Sequence, residues 1–356
     1  MNVTCDVLVI GMGPAGGAAA ARAASLGLRV TALERKREIG TPVQCAEFIP
    51  LPLSGHASSD VRRQRITGMK SMLPSGAVAA TPFQGLMIDR AAFDRALARE
   101  AVTAGTELHA GTRLVGLRVE ESVALARSAQ SAWTIAYRVL IAADGPHSTV
   151  ARLAGLPPLR TVDTRQYTVP LHDRFADTDI WLSGDYPGGY AWLFPKGEHA
   201  NLGLGMDTRV QDDMKSPLDA LHRQLVRQGR VGAAVLQRTG GAIPVGGLRP
   251  RLVTGNMVFA GDAGGFTHPV TGAGIAAAIA SGERAAEAAH ALLARDGPAA
   301  LTDYEEDMRE QFGPSIARGL ARRRELERVW RTPEAHLDAP HRRGWIAFDE
   351  YYATAA

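Results

Sequence analysis

The apolar residues of this chain change period repeatedly along its length. Val7 to Ile10 form a short apolar run, the pattern of a parallel strand buried on both faces. A stretch rich in glycine and alanine follows, then "LRVTALE", so residues 1–36 read as strand, tight turn, helix, strand. In "IDRAAFDRALAREA" (88–101), Phe93, Leu97 and Ala101 recur at helical spacing and mark one packed face. Residues 112–136 predict a strand meander with a polar loop at 120–131. Two further apolar strands, in 137–155 and 256–286, each run into a helix, the second long and alanine-rich. Residues 51–86 are small and polar and leave the nucleotide-type pattern, and from about 160 to 250 the chain is strand-rich. There Tyr190, Trp192 and Phe194 alternate, which places them on one face of a strand. One helix interrupts this region, with Ser216 as N-cap, Pro217 at the first position, Leu218, Leu221 and Leu225 on one face and Gly229 at its end. Residues 299–331 predict a charged, solvated helix carrying Ile316, Leu320 and Leu326 among arginines.

Composition narrows this picture. At 356 residues, 46% hydrophobic and 22% charged, the chain has the make-up of one large or two interlocked globular domains. Positive charge is almost all arginine, the lysines being Lys36, Lys70, Lys196 and Lys215, and no nucleic-acid-binding motif accompanies it. The two cysteines, Cys5 and Cys45, form neither a disulfide framework nor a zinc spacing, which fits a reduced cytoplasmic setting and no metal. The N-terminus lacks the basic region of a signal peptide, and no apolar run reaches the roughly 18 residues a bilayer span needs.

The glycines carry the chemistry. Gly11, Gly13 and Gly16 give GxGxxG directly after the first strand. In this context the first glycine permits the turn, the second admits a pyrophosphate and the third lets helix and strand pack closely. Glu34 ends the second strand, where a carboxylate accepts hydrogen bonds from a ribose and disfavours NADP. An ADP-containing dinucleotide is therefore expected. Asp144-Gly145 ends the strand of 137–155, with Ser148 and Arg152 on the helix behind it. Gly261-Asp262 ends the next such strand, followed by Pro269, Gly272 and Gly274. Asp262 suits a polyol hydroxyl, and the helix start at 272–275 aims N–H groups at an anionic ring edge. Those extra contact points favour FAD over NAD. No second GxGxxG follows a strand, so the electron donor, NADPH, NADH or a redox protein, has no visible domain of its own.

These three motifs, in this order, resemble the FAD-dependent aromatic-hydroxylase-like superfamily. The resemblance implies an α/β fold: a Rossmann-type FAD-binding domain built from 1–50, 86–158 and 251–298. Interlocked with it are a mixed β-sheet substrate domain (51–85 and 159–250) and a short helical C-terminal region (299–356). It also implies that Arg90 approaches FAD, with further contacts from Pro14, Ala15, Arg35, Cys45, Ala46, Val115, Gly145 and Ile275.

Within that superfamily, "YAWLFPKGEHANLGLG" (190–205) resembles the signature of the geranylgeranyl reductase group. "PVQCAEFI" (42–49), "GGAIPVGG" (240–247) and "PVTGAGI" (269–275) resemble other segments of that group. Two features depart from it: only six residues separate Lys196 from Gly203, and the helical C-terminal part is short. The resemblance implies reduction of carbon–carbon double bonds in an isoprenoid or similarly apolar substrate. Tyr190, Trp192 and Phe194 would wall an apolar slot, and Gly203 and Gly205 would give it clearance. Cys45 is the expected proton donor, because a thiol of pKa about 8.5 is protonated at neutral pH. Cys5 is expected to be structural, and Lys196 has no assigned role. A monooxygenase or halogenase on the same scaffold is the alternative, although Tyr190, Trp192, Phe194 and Pro195 match a Trp-x-Trp-x-Ile-Pro halogenase element only in part. A non-catalytic flavin-binding protein is a third reading. The arginine-rich helix leaves room for peripheral contact with an anionic membrane, where a prenyl lipid would reside.

Overall fold

The structure, a computed structural model, describes residues 2–295, 297 and 299–353. In chain order the elements begin with β1 (Asn2–Ile10), α1 (Pro14–Ser25), β2 (Val30–Glu34), β3 (Phe48–Pro50), β4 (Arg62–Met72), β5 (Val78–Ile88) and α2 (Arg90–Thr103). They continue with β6 (Glu107–Ala110), β7 (Arg113–Arg118), β8 (Val123–Arg127), β9 (Ala132–Ala142), α3 (Thr149–Leu153), β10 (Thr161–Pro170), β11 (Asp177–Trp181), β12 (Ala191–Lys196) and β13 (His199–Met206). The last are α4 (Lys215–Arg227), β14 (Gln237–Thr239), β15 (Ala242–Pro244), β16 (Val253–Thr254), β17 (Met257–Phe259), α5 (Ile275–Arg295), α6 (Ala299–Glu327), α7 (Asp338–Gly344) and α8 (Asp349–Tyr352).

Two sheets organise these elements. The first runs β16-β17-β9-β1-β2-β6, with the β7–β8 hairpin attached through β8 to β9. Its central pairs, β17–β9, β9–β1, β1–β2 and β2–β6, are all parallel. Both faces are buried, as the unbroken apolar run of β1 requires. Val7 and Val9 pack into a core shared with the alanines of α1 and α5, whereas Leu8 and Ile10 enter a second core with α3 and the meander. Small residues let α1 and α5 approach closely: a Cβ at Gly282 would stand 2.2 Å from the Ala15 carbonyl oxygen.

The second sheet runs β14-β10-β13-β12-β11-β4-β5-β3, with β15 beside β10, and is antiparallel except for β11 with β4. The alternation seen in the sequence of β12 separates two cores. Ala191 and Leu193 face α4, while Trp192 and Phe194 face an aromatic cluster with Trp345 and Phe348. No helix among the described residues is long and apolar enough to cross a membrane.

Several local expectations are corrected. The loop expected at 120–131 contains strand β8, whose Ala124 and Ala126 are buried against β9. Residues 48–50, grouped by sequence with the nucleotide domain, pair with β5 in the second sheet. Helix α4 begins at Lys215 rather than after Ser216. The carboxylate of Asp213 accepts the N–H groups of Lys215 and Ser216 (both 3.0 Å), a better acceptor than a serine hydroxyl for exposed donors at a helix start. Leu218, Leu221 and Leu225 do form its buried face. Helix α6 is not uniformly solvated, because Arg322 and Arg323 are buried. Arg322 donates to the Tyr351 carbonyl (2.9 Å), and Arg323 to that of Gly188 (2.8 Å).

Gly203 also has a different role from the one expected. It pairs with Trp192 across β12–β13, and a Cβ there would lie 2.4 Å from Cζ2 of the indole. The missing side chain makes room for Trp192 rather than for a substrate. Trp192 in turn donates through Nε1 to Gln166 Oε1 (3.0 Å). Gly203→Ala should therefore push the indole off this bond and destabilise the protein by about 1–3 kcal/mol. Urea denaturation followed by tryptophan fluorescence would check this, and an unchanged midpoint would contradict it.

Candidate active site

A cavity of about 970 Å³ opens between the two sheets, and the three glycine motifs meet on its wall. Gly11 (φ +95°) and Gly16 serve the protein's own packing: a Cβ at Gly11 would lie 2.5 Å from the Ala143 carbonyl oxygen, and one at Gly16 1.8 Å from that of Gly11. Gly13 differs. A Cβ there would meet nothing within 4 Å, so nothing in the protein itself requires a glycine. The open space lies at the N-terminus of α1, where unpaired N–H groups and the helix dipole favour an anion. Pro14 and Ala15 line it beside Gly13.

The carboxylates of this region are partly used by the backbone. Glu34 accepts from the N–H of Met12 (2.9 Å) and of Lys36 (2.8 Å), tying the glycine loop to the end of β2. Asp144 accepts from Thr149 N (2.6 Å) and Val150 N (3.1 Å), which caps α3. Its other oxygen, Oδ1, is buried with no partner among the described residues, and burial raises the carboxyl above its ordinary value, opposed in part by the Ser148 hydroxyl. Asp262 accepts from Thr267 Oγ1 (2.6 Å), and burial raises it as well. Beside it stand Gly272, Gly274 and Ile275 at the start of α5; the first N–H groups of a helix have no intrahelical acceptor.

Arg35, Cys45, Ala46, Arg90, Asp144 and Gly145 also line the cavity. Val115 does not: it is 43% exposed, and its neighbours Arg113 and Leu114 hold that part of the wall. Strand alternation, interrupted by an irregularity between Leu114 and Gly116, turns Val115 outward. Gly261 is buried behind the wall, where a Cβ would stand 2.9 Å from Ala15 Cβ. Gly203 and Gly205 lie outside it too. The space beside Gly13, the buried carboxylates of Asp144 and Asp262 and the start of α5 fit the pyrophosphate, polyol and ring edge of FAD.

Cys45 sits half-buried on the loop between β2 and β3. Its Sγ accepts the N–H of Glu47 (3.2 Å). Burial pushes the thiol up, and the nearby Arg90 only partly opposes this. The loop is held by a residue that sequence reasoning missed. Glu47, 3% exposed and at φ +69°, receives the Lys196 ammonium (2.5 Å), the Asn201 amide (2.8 Å) and the backbone N–H of Arg90 (2.9 Å). Gln166 Nε2 donates to the Cys45 carbonyl (3.1 Å), and Asn201 Nδ2 to that of Ala46 (3.1 Å). Lys196 thus has a physical role, as the counter-charge of a buried acid beside the thiol. Its sequence signal was the alternation itself, because Lys196 continues the face of Tyr190, Trp192 and Phe194. Glu47 and Asn201 meet across 154 residues, so no local pattern reveals their contact. Arg90 is fixed in turn by Asp94, with Nε to Oδ1 at 2.8 Å. Cys5 lies apart in the first sheet, fully buried, its thiol raised by burial to about 11.

The far wall is aromatic. Tyr190, Trp192 and Phe194 line it with Phe48 and Phe83, whose rings stack at 4.7 Å. Trp345 meets Tyr190 edge-on at 4.8 Å. Their polar atoms are satisfied within the protein: Tyr190 donates to the Thr271 carbonyl (2.6 Å), Trp192 to Gln166, and Trp345 to Ser71 Oγ (3.0 Å). The surface left to the cavity is therefore apolar.

A dinucleotide cradle that opens into an apolar aromatic slot defines an FAD-dependent oxidoreductase. Residues 165–243 match the model of the geranylgeranyl reductase catalytic domain, and residues 207–335 that of lycopene cyclase protein. The chain is 35% identical over 337 residues to a digeranylgeranylglycerophospholipid reductase of Methanocella arvoryzae, covering 89% of this chain and 86% of that one. A reductase of the same name from Methanocaldococcus jannaschii is 31% identical over 92% of this chain and 88% of its own. Among solved structures, a geranylgeranyl bacteriochlorophyll reductase-like protein of Thermoplasma acidophilum superposes with a TM-score of 0.85 at 27% identity, covering 92% of this chain and 89% of that one. The flavin-dependent halogenase CmlS shares the fold, with a TM-score of 0.76 at 18% identity over 95% of this chain and 67% of its own. The chain belongs to the geranylgeranyl reductase family.

Lys196→Met should leave the Glu47 carboxylate buried without its counter-charge, and breaking such a pair is strongly destabilising. Because Lys196 keeps some solvent contact, a loss of about 1–3 kcal/mol is expected. The double variant Glu47→Gln/Lys196→Met should recover part of it. Thermal melts of the three proteins with FAD bound would check this ordering.

Proposed function

We propose that this enzyme saturates carbon–carbon double bonds of geranylgeranyl-type chains, with a phospholipid of the kind named for its relatives as the substrate class. The observation that carries this reading is one large cavity in which the nucleotide cradle and the aromatic slot meet beside Cys45. FAD would be held by Gly11, Gly13, Pro14, Ala15, Glu34 and Arg35 at its adenosine diphosphate end, and by Arg90, Asp262, Gly272, Gly274 and Ile275 nearer the ring. When bound and reduced it supplies a hydride, that is, a proton with two electrons. A transient donor, NADPH, NADH or a redox protein, restores those electrons.

The chain's own residues supply the remainder. An alkene offers no heteroatom to polarise, so alignment and a held proton carry the reaction. The slot of Tyr190, Trp192, Phe194, Phe48 and Phe83 excludes water and orients the chain. Cys45 delivers the proton to the second alkene carbon, and water returns one to the thiolate. Glu47, pinned by Lys196 and Asn201, fixes the loop that presents the thiol. Burial suits this role, since a raised thiol remains protonated across the neutral range.

The enzyme meets its lipid at the membrane surface through α6 and the turn after it, where Arg318, Arg324 and Arg328 are exposed and anionic headgroups attract such residues. Co-sedimentation with vesicles containing acidic lipid should fall with added salt, and an absence of binding at low salt would remove this element.

Cys45→Ala should lower the single-turnover rate of alkene reduction by about 10²-fold or more while FAD binding persists, the usual contribution of a positioned acid. For the native enzyme the step needs the protonated thiol, so it is supported at low pH and lost as pH rises through the raised pKa. The rate should therefore hold through the ordinary thiol value of about 8.5 and fall only above it. An unchanged rate in Cys45→Ala, or a decline beginning near neutrality, would count against Cys45 as the donor.

A further inference from the structure

The large cavity ends against a second, small one of about 40 Å³, and the two share Tyr190 and Trp345 in their walls. Behind these rings the small cavity is lined by apolar Leu182, Leu326, Val329 and Trp330, with Ser183, the buried Arg323 and His341 at its polar side. The boundary between slot and pocket is thus a pair of aromatic side chains in edge-on contact at 4.8 Å.

Trp345 is delivered to that position by the C-terminal segment, on the short stretch between α7 and α8. The segment is fastened along its length. Asp338 receives the N–H and hydroxyl of Ser75 (2.9 and 2.6 Å), and Arg343 Nε pairs with Glu325 (2.6 Å). Arg322 of α6 holds the Tyr351 carbonyl (2.9 Å), and the Tyr351 hydroxyl meets His268 Nε2 (3.1 Å). Within this frame the indole is almost fully buried and donates to Ser71, itself inaccessible on β4. A chain long enough to press on the indole would have to part it from Ser71 and leave two buried polar groups unpaired, a penalty larger than the loss of an ordinary exposed hydrogen bond.

We propose that Trp345 is a specificity-determining residue that stops the slot and sets the longest prenyl chain the enzyme accepts. This rests on the isoprenoid reading given above. Removing the indole joins slot and pocket on the side of Leu182, Val329 and Trp330, and the added room benefits only chains long enough to enter it. Ser71 acts through Trp345, as a positioning residue.

The test uses the FAD-loaded enzyme, reduced with dithionite under anaerobic conditions. It is offered geranylgeranyl diphosphate and the diphosphate one isoprene unit longer, separately and in competition, with hydrogens added counted by mass spectrometry. The native enzyme should prefer the shorter chain by tenfold or more in kcat/KM. Trp345→Ala should erase most of that preference, chiefly through a lower KM for the longer chain. Ser71→Ala should shift the ratio the same way by a smaller factor. A native enzyme indifferent to length, or a variant in which both chains lose the same factor, overturns the proposal. If Trp345→Ala fails to retain FAD, Trp345→Leu, which keeps apolar bulk while shortening the plug, is read by the same ratio. A native enzyme that reduces neither diphosphate nor a geranylgeranyl phospholipid defeats the isoprenoid reading itself, a result distinct from loss of length selection alone.

Discussion

The buried carboxylate of Glu47 is the point on which the reactive end of this molecule depends. A charge so removed from water persists only if it is neutralised and hydrogen-bonded. Here the neutralising cation comes from the end of β12, an amide from β13 and a backbone donor from the start of α2. The second sheet, helix α2 and the cysteine loop therefore share one electrostatic centre. That centre also accounts for a non-glycine residue held at positive φ, a conformation that costs energy and survives where surrounding contacts over-determine it. The thiol owes its position to this arrangement, because its sulfur accepts the N–H of Glu47 itself.

The nucleotide half was largely legible in the sequence, and for a physical reason. A phosphate cradle needs a strand, a turn without side chains and a helix start in immediate succession, so its determinants are local. Gly11, Gly13, Glu34, Asp144 and Asp262 all stand on or beside the cavity for that reason. Gly16 and Gly261 act one layer back, as clearance for the backbone and for Ala15, and Val115 points outward because alternation turns its neighbour Leu114 inward.

The substrate half was legible only in its periodicity. Alternation on β12 identified the aromatic face, yet it could not say what Gly203 opposes, because that depends on the register with the neighbouring strand. Glu47, Asn201, Gln166 and Trp345 escaped for the same reason, since each acts on a partner more than a hundred residues away in sequence. Helix α6 was misread in detail because a run of arginines looks solvated, whereas Arg322 and Arg323 turn inward to hold backbone carbonyls.

One property of β12 has a bearing on how such a site changes over evolutionary time. Ala191 and Leu193 belong to the core under α4, while Trp192 and Phe194 face the slot. On β13 the assignment is reversed, with Leu202, Leu204 and Met206 in the α4 core. The α4 core and the slot wall are thereby written on alternate letters of β12. Exchanges at Trp192 or Phe194 alter which chains are accepted while the α4 core stays untouched. A lineage can then explore new substrates with half of the strand's packing already in place.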